Sequence, residues 1–163
     1  AMSEGESELR LARRRDARTI AGLSRDLIEA GLEWRWTPKR VDVAIVDTEI
    51  LALVAETRIE MAGFGLMEFH AHHAHLVLFA VRESHQRTGV GTRMLNWMTE
   101  SVRTAGCDRI VLEVRNTNDG AQAFYERHGY AADKVLEGYY DGREAALRMV
   151  NHLVGPETAR QKP

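Results

Sequence analysis

The chain has 163 residues, 44% of them hydrophobic and 28% charged, with a formal net charge of −2. That length suits one domain with a sizeable core, and near-neutral charge excludes a broad basic surface for nucleic acid. No apolar run approaches the roughly 18 to 20 residues of a membrane span, the polar N-terminus does not read as a secretory signal, and a lone Cys107 excludes an internal disulfide.

A protein of the reducing cytoplasm is therefore expected, with neither nucleic acid nor membrane as partner. Residues 1–7 read as a disordered tail, with Ala1 ahead of Met2 as a cloning remnant. Residues 9–12 alternate and predict a short first strand. Asp16 is placed to cap a helix whose Ile20, Leu23, Leu27 and Ile28 recur at helical spacing. Residues 33–38, Glu-Trp-Arg-Trp-Thr-Pro, interrupt it, and Pro38 suits the first turn of a second helix running to Ile45. Residues 50–56 and 61–69 read as strands joined by a polar turn. Residues 74–81 are apolar on both faces, as in a buried central strand. Leu95, Met98, Val102 and Ala105 form one stripe of a helix over 91–105 that Gly106 stops. A strand over 109–114 and a helix over 118–128, ended by Gly129, come next. Residues 130–140 and 144–150 form a closing antiparallel pair around Asp141-Gly142. One domain thus covers 8–152, and 153–163 reads as a loose tail.

The most informative stretch is residues 81–91, Val-Arg-Glu-Ser-His-Gln-Arg-Thr-Gly-Val-Gly. It links a strand to a helix, and two glycines two residues apart let the backbone turn tightly beside a ligand. The helix start supplies amide N–H groups and the positive end of a dipole, a seat for phosphate. Strand 74–81, helix 91–105 and strand 109–114 form a β-α-β unit whose right-handed crossover puts this loop at the strand's carboxyl end. A P-loop would require a lysine after its last glycine, and a dinucleotide fingerprint would require a small residue where Met94 stands.

Gln86-Arg87-Thr88-Gly89-Val90-Gly91 fits the Gln/Arg-x-x-Gly-x-Gly/Ala signature of the GNAT acyltransferases, which the chain resembles over about residues 8–152. The resemblance implies a mixed α/β (α+β) fold: a mostly antiparallel central sheet with one parallel, splayed strand pair, flanked by helices. It implies acetyl-CoA as cosubstrate, its pyrophosphate on the backbone of Arg87 to Thr92. Phe79, Ala80 and Val81 would hold the pantetheine arm where the strands splay.

Glu113 lies within Ile110-Val-Leu-Glu-Val114. A carboxylate inside an apolar strand is costly unless paired or used, and burial moves its pKa up, towards the range of a general base. The competing reading is a carboxylate bonded to Arg115 or to a neighbouring helix, or one that reaches solvent. Asn118 and Tyr125, seven residues apart, match a second GNAT signature lining the acetyl-CoA channel. Tyr125, protonated at neutral pH, can give a proton to a thiolate; alone it reads equally as a core tyrosine, and Asn118 as a helix cap.

A finer resemblance is to the bacterial acetyltransferases of ribosomal-protein N-terminal alanine, in which a Leu-Glu-Val-Arg strand supplies a glutamate base and a helical tyrosine the acid. Leu112-Glu113-Val114-Arg115 and Tyr125 occupy those positions, as does the pair Tyr139-Tyr140, with Tyr139 an acceptor-site candidate. Ala145 replaces the group's aspartate, which weakens the case for the same peptide. By the GNAT resemblance Trp34, Arg35 and Trp36 line the acceptor; otherwise the tryptophans cap the core.

His70, His72, His73 and His75 crowd one hairpin. They read as a polar turn before a metal site, since no carboxylate or cysteine partner is evident, and His73 and His75 could border the acceptor cleft. Cys107 reads as a small buried residue. The expected function is acetyl transfer to a peptide or protein N-terminus or a small amine, without metal. A non-catalytic acyl-CoA sensor and a histidine-based metal protein are the alternatives, and a homodimer is left open.

Overall fold

The computed structural model describes residues 6–153, so both chain tails lie largely outside the described residues. The chain forms strands β1 (Glu8–Leu11), β2 (Ile50–Glu56), β3 (Met61–Phe69), β4 (His73–Val81), β5 (Arg109–Arg115), β6 (Ala131–Tyr140) and β7 (Glu144–His152). Its helices are α1 (Ala17–Leu27), α2 (Pro38–Val46), α3 (Val90–Thr104) and α4 (Asp119–Arg127). The predicted elements are all present, with ends shifted by one or two residues. The strands hydrogen-bond in the order β1-β2-β3-β4-β5-β7-β6. The β4–β5 pairing is parallel and spans His73↔Arg109 to His75↔Val111; β1–β2, β2–β3, β5–β7 and β6–β7 are antiparallel. Helices flank this mixed sheet, as expected. No described helix is long and apolar enough to cross a membrane.

The described residues group into two compact units, one comprising those up to 68 and 76–98, the other 69–75 and those from 99 on. In the first, Ala17, Ile20 and Ala21 of α1 and Val41 and Ala44 of α2 pack with Ala52, Val54, Phe64, Leu66 and Leu78. Thr37 caps α2 by accepting from Arg40 N–H, and Pro38 occupies its first turn as predicted. The strand buried on both faces is β3, from Met61 to Met67. Its glycines make this feasible: a Cβ at Gly63 would lie 2.8 Å from Ala80 O and 3.1 Å from Met94 Sδ, and one at Gly65 2.9 Å from Met98 Sδ. Only bare backbone admits the α3 methionines that closely.

Two expectations are corrected here. Burial in β4 alternates, with Ala74, Leu76 and Leu78 inside and His73, His75 and Val77 half-buried, so β4 is not buried on both faces. An apolar run reports composition; which face is covered depends on what packs there. Asp16 does not cap α1 with its side chain. It accepts from Arg10 at 2.8 and 2.9 Å and from Arg13 N–H at 2.7 Å, a buried ion pair tying β1 to the helix entry.

The second unit is built on β5, whose register runs from Arg109↔His152 to Arg115↔Ala146 against β7. Ile110, Leu112, Tyr125, Tyr130 and Met149 are buried in it, as is Cys107. The β6–β7 hairpin turns through Asp141 (φ 55°) and Gly142 (φ 70°), the left-handed geometry that its Asp-Gly sequence predicts. A register shift between Leu136 and Tyr140, around Gly138 (φ 64°), changes the course of β6 just before Tyr139.

Candidate active site

The glycine-rich loop lies in the first unit. Arg87 (φ 63°) and Gly89 (φ 87°) both adopt left-handed backbone, so the chain turns twice before α3 begins at Val90. The helical ladder opens with Arg93 N–H to Gly89 O at 3.0 Å; the amides of Val90 and Gly91 precede it, where a helix presents donors to an anion. Nothing lies within 4 Å of a Cβ built on Gly89, so the space beside the loop is open. Gln86 Nε2 donates to Val81 O at 3.0 Å and Thr88 Oγ1 to His85 O at 2.5 Å. Both side chains therefore brace the loop. The backbone, with Arg87 and Thr92, is what it offers an anion. Phe79, Ala80 and Val81, which end β4, are all half-buried.

Trp34, Arg35 and Trp36 occupy the α1–α2 connection in the same unit. Trp34 Nε1 donates to Ala21 O at 3.2 Å, and the Arg40 guanidinium stacks 3.8 Å from the Trp36 ring centre. Both indoles pack against the core, as the structural reading had it. Arg35 stays 57% exposed beside Glu33. Sequence reasoning missed what fixes this loop. Glu29 is buried, accepting from Ser24 Oγ at 2.8 Å, Arg35 N–H at 2.8 Å and Trp36 N–H at 3.2 Å.

Glu113, Asn118, Tyr125 and Tyr139 belong to the second unit. The Glu113 side chain is 6% exposed, and both its oxygens are engaged. Oε1 lies 2.7 Å from His75 Nε2 and 3.1 Å from Tyr139 OH; Oε2 accepts from Arg148 Nε at 3.2 Å. The β4–β5 ladder sets His75 opposite Val111, one same-face step from Glu113, and the β5–β7 ladder sets Arg148 opposite it. Burial pushes the Glu113 carboxyl up, but the bond and charge of His75, with the bonds from Tyr139 and Arg148, leave it below its ordinary value. The expected upward shift is thus corrected. Of the partners the competing reading offered, Arg115 lies 3.4 Å from Glu144. Burial, then the charge and bond of Glu113, push the Tyr139 phenol up to about 12.

Tyr125 is buried edge-on against Phe124 and Tyr130, and burial, with Tyr140 nearby, raises its phenol well above the usual value. It keeps its proton at any physiological pH. Asn118 does cap α4, its Oδ1 accepting from Ala121 N–H at 3.1 Å. The histidines divide: His70 and His73 stack 4.6 Å apart, while His75 turns to Glu113. Among the described residues no group of three or more His, Cys, Asp or Glu is arranged to hold a metal ion.

The family model described as Acetyltransferase (GNAT) family matches residues 18–130. An N-alpha-acetyltransferase of Saccharolobus solfataricus is 35% identical over 109 residues, 64% of this chain and 65% of that protein. The ribosomal protein bS18-alanine N-acetyltransferase of Escherichia coli is 33% identical over 93 residues, 55% of this chain and 63% of that one. The match thus spans just under two thirds of these relatives' length. Among solved structures, Ard1 from Thermoplasma volcanium superposes with a TM-score of 0.80 at 22% identity, covering 91% of this chain and 99% of that one, so the fold is shared.

Proposed function

We propose that this chain, which belongs to the acetyltransferase (GNAT) family, transfers acetyl from acetyl-CoA to a primary amine, with the α-amine of a peptide or protein N-terminus as preferred acceptor. The observation that carries this reading is the enclosed Glu113 carboxylate, ringed by an imidazole, a phenol and a guanidinium within 3.2 Å. A terminal α-amine has a reference pKa near ~8 and a lysine near ~10.4, so freeing the lysine nitrogen costs roughly 3 kcal/mol more. A site with one modest proton acceptor favours the α-amine. The relatives named for N-alpha and alanine acetylation agree with that choice.

In this reading the backbone of Arg87 to Thr92 seats the pyrophosphate, and Phe79 to Val81 line the path of the pantetheine arm. The acceptor nitrogen forms its bond to the acetyl carbon as the carbon–sulfur bond breaks, the electron pair leaving on sulfur. One proton leaves the nitrogen towards the Glu113 cluster, and Tyr125 supplies one to the sulfur. Solvent then restores both residues to their starting state. Arg35, with Trp34 and Trp36, borders the acceptor. The reaction takes place in the cytoplasm, where acetyl-CoA is present.

The test offers acetyl-CoA with peptides bearing a free α-amine, peptides with a blocked N-terminus and one lysine, and small amines, reading released thiol. Expected is turnover with α-amine peptides at a kcat/KM at least about tenfold above the lysine set. Tight acetyl-CoA binding without thiol release in any arm would overturn the reading and leave a sensor of acyl-CoA.

A further inference from the structure

We propose that His85 is a positioning residue for the cofactor: its bond to Glu60 holds the glycine-rich loop in the conformation that presents the loop amides to the pyrophosphate of acetyl-CoA. This role rests on the acetyl-transfer reading above and goes beyond it by naming what fixes the loop before a ligand arrives. All the residues concerned belong to the first unit.

Three observations lead to His85. The first is strain. Arg87 has φ 63°, left-handed backbone that a residue with a Cβ adopts only at a cost. Such a residue keeps that conformation when its surroundings over-determine it.

The second is what surrounds Arg87. Before it, Gln86 Nε2 donates to Val81 O at 3.0 Å; after it, Thr88 Oγ1 donates to His85 O at 2.5 Å. His85 N–H in turn donates to Arg82 O at 2.9 Å. The turn at Arg87 is therefore closed onto the backbone of His85.

The third is what holds His85. Its ring is 16% exposed, and Nε2 lies 3.2 Å from Glu60 Oε2. A carboxylate only accepts, so the imidazole donates. Glu60 follows a turn fixed by the buried Thr57, whose N–H and hydroxyl donate to Glu60 O at 2.8 and 3.0 Å. The same hydroxyl oxygen accepts from the Ile59 and Glu60 amides at 3.2 and 3.1 Å. Arg82 donates from Nε to Met61 O at 2.6 Å and from its amide to Ala62 O at 2.8 Å, and it lies 3.8 Å from the Glu60 carboxylate. Glu60 is thus a fixed anchor, and the His85 ring carries that rigidity to the loop.

A loop held in its binding conformation needs no ordering when the ligand arrives. Without the bond only a fraction of the molecules is competent at any moment, and the apparent affinity falls by that fraction. The bound state is the same, so turnover at saturation should not change.

The test titrates coenzyme A by calorimetry into the full chain as wild type, His85→Phe, Glu60→Ala, the double variant of these two, and Glu60→Gln. Each of the first two single variants removes the bond and should weaken binding about 5- to 20-fold. The double variant should lie within about twofold of the weaker single one, because both remove one interaction. Glu60→Gln keeps an oxygen for the imidazole N–H and should bind within about threefold of wild type. In turnover with the best α-amine peptide, the acetyl-CoA KM should rise while kcat and the acceptor KM stay within about twofold. A ligand-free readout is amide hydrogen exchange, which should quicken at residues 86–91 in His85→Phe and Glu60→Ala and stay unchanged in β5. Unchanged coenzyme A affinity in both single variants, additive losses in the double variant, or unaltered exchange at 86–91 would overturn the role of His85 and leave acetyl transfer standing. Absence of coenzyme A binding by wild type would instead overturn the acetyl-transfer reading, and the exchange measurement would still decide whether this bond fixes the loop.

Discussion

The α1–α2 connection should be the most sensitive part of the first unit to one carboxylate. Glu29 takes three hydrogen bonds, from the fully buried Ser24 hydroxyl and from the Arg35 and Trp36 amides. Glu29→Ala leaves all three donors without their acceptor. Each hydrogen bond to a charged group contributes about 1.5–3 kcal/mol net, but the two amides sit in a partly exposed loop that water can enter. The Ser24 bond is lost in full and the amide bonds in part, so a destabilisation of about 3 kcal/mol is expected. Glu29→Gln keeps an oxygen for both amides, and the Ser24 hydroxyl can rotate to accept from the new NH₂, so about 1 kcal/mol or less is lost. Urea denaturation gives the free energies, and unchanged m-values would confirm that the unfolded states are comparable. In turnover, Glu29→Ala should raise the acceptor KM by loosening Arg35 while acetyl-CoA affinity holds. A Glu29→Ala stability within about 0.5 kcal/mol of Glu29→Gln would refute the idea that these bonds fix the loop.

Gly89→Val, at φ 87° in open space, should strain the loop without a clash and cut acetyl-CoA affinity more than tenfold by calorimetry, with the fold retained. Unchanged affinity would remove the pyrophosphate from this loop. Gly63→Ala meets the rigid Ala80 carbonyl and should cost about 1–3 kcal/mol in urea denaturation, whereas Gly65→Ala meets the flexible end of Met98 and should cost less. The reverse order would contradict the packing described. Arg10's bonds to Asp16, against the opposing effect of burial, hold the Asp16 carboxyl below its usual range. Its contribution is therefore present above the unfolded value near ~3.9 and lost as pH falls through the lower folded value. Asp16→Asn should cost about 2–4 kcal/mol at pH 7, the gap to wild type narrowing as pH drops below about 4; a gap independent of pH would show that the ion pair is not its source.

What sequence made legible was periodic or local. Strands β2 and β3 follow from β-rich runs with a polar break, and the loop of Gly89 follows from its glycine spacing and from the helix behind it. Asn118 as a cap and Asp141-Gly142 as a turn are decided by the residue's own conformational preferences. The unread features join residues far apart in the chain. His75 and Glu113 lie 38 positions apart, and only the strand register says that this imidazole, unlike His70 or His73, faces the carboxylate. The direction of the Glu113 shift was misread for the same reason: burial is visible in an apolar strand, but three donors from β4, β6 and β7 are not. Gly63 and Gly65 passed as ordinary strand residues because what demands them is a pair of α3 methionines.

Two buried glutamates show how partners, more than burial, decide what a carboxylate does here. Glu29 and Glu113 are both enclosed, and each accepts three hydrogen bonds. The donors of Glu29 are a hydroxyl and two backbone amides, none of which exchanges a proton near neutral pH. That carboxylate can therefore only hold the chain in place. The donors of Glu113 are an imidazole, a guanidinium and a phenol raised to about 12, carried on β4, β7 and β6. Together they outweigh burial and hold the carboxyl below its ordinary value, so it stays ionised where burial alone would favour its neutral form. Three donors still leave one of the roughly four lone-pair sites of a carboxylate open to a further N–H. Glu29 therefore fixes one connection, whereas Glu113 joins three strands through a single charged group.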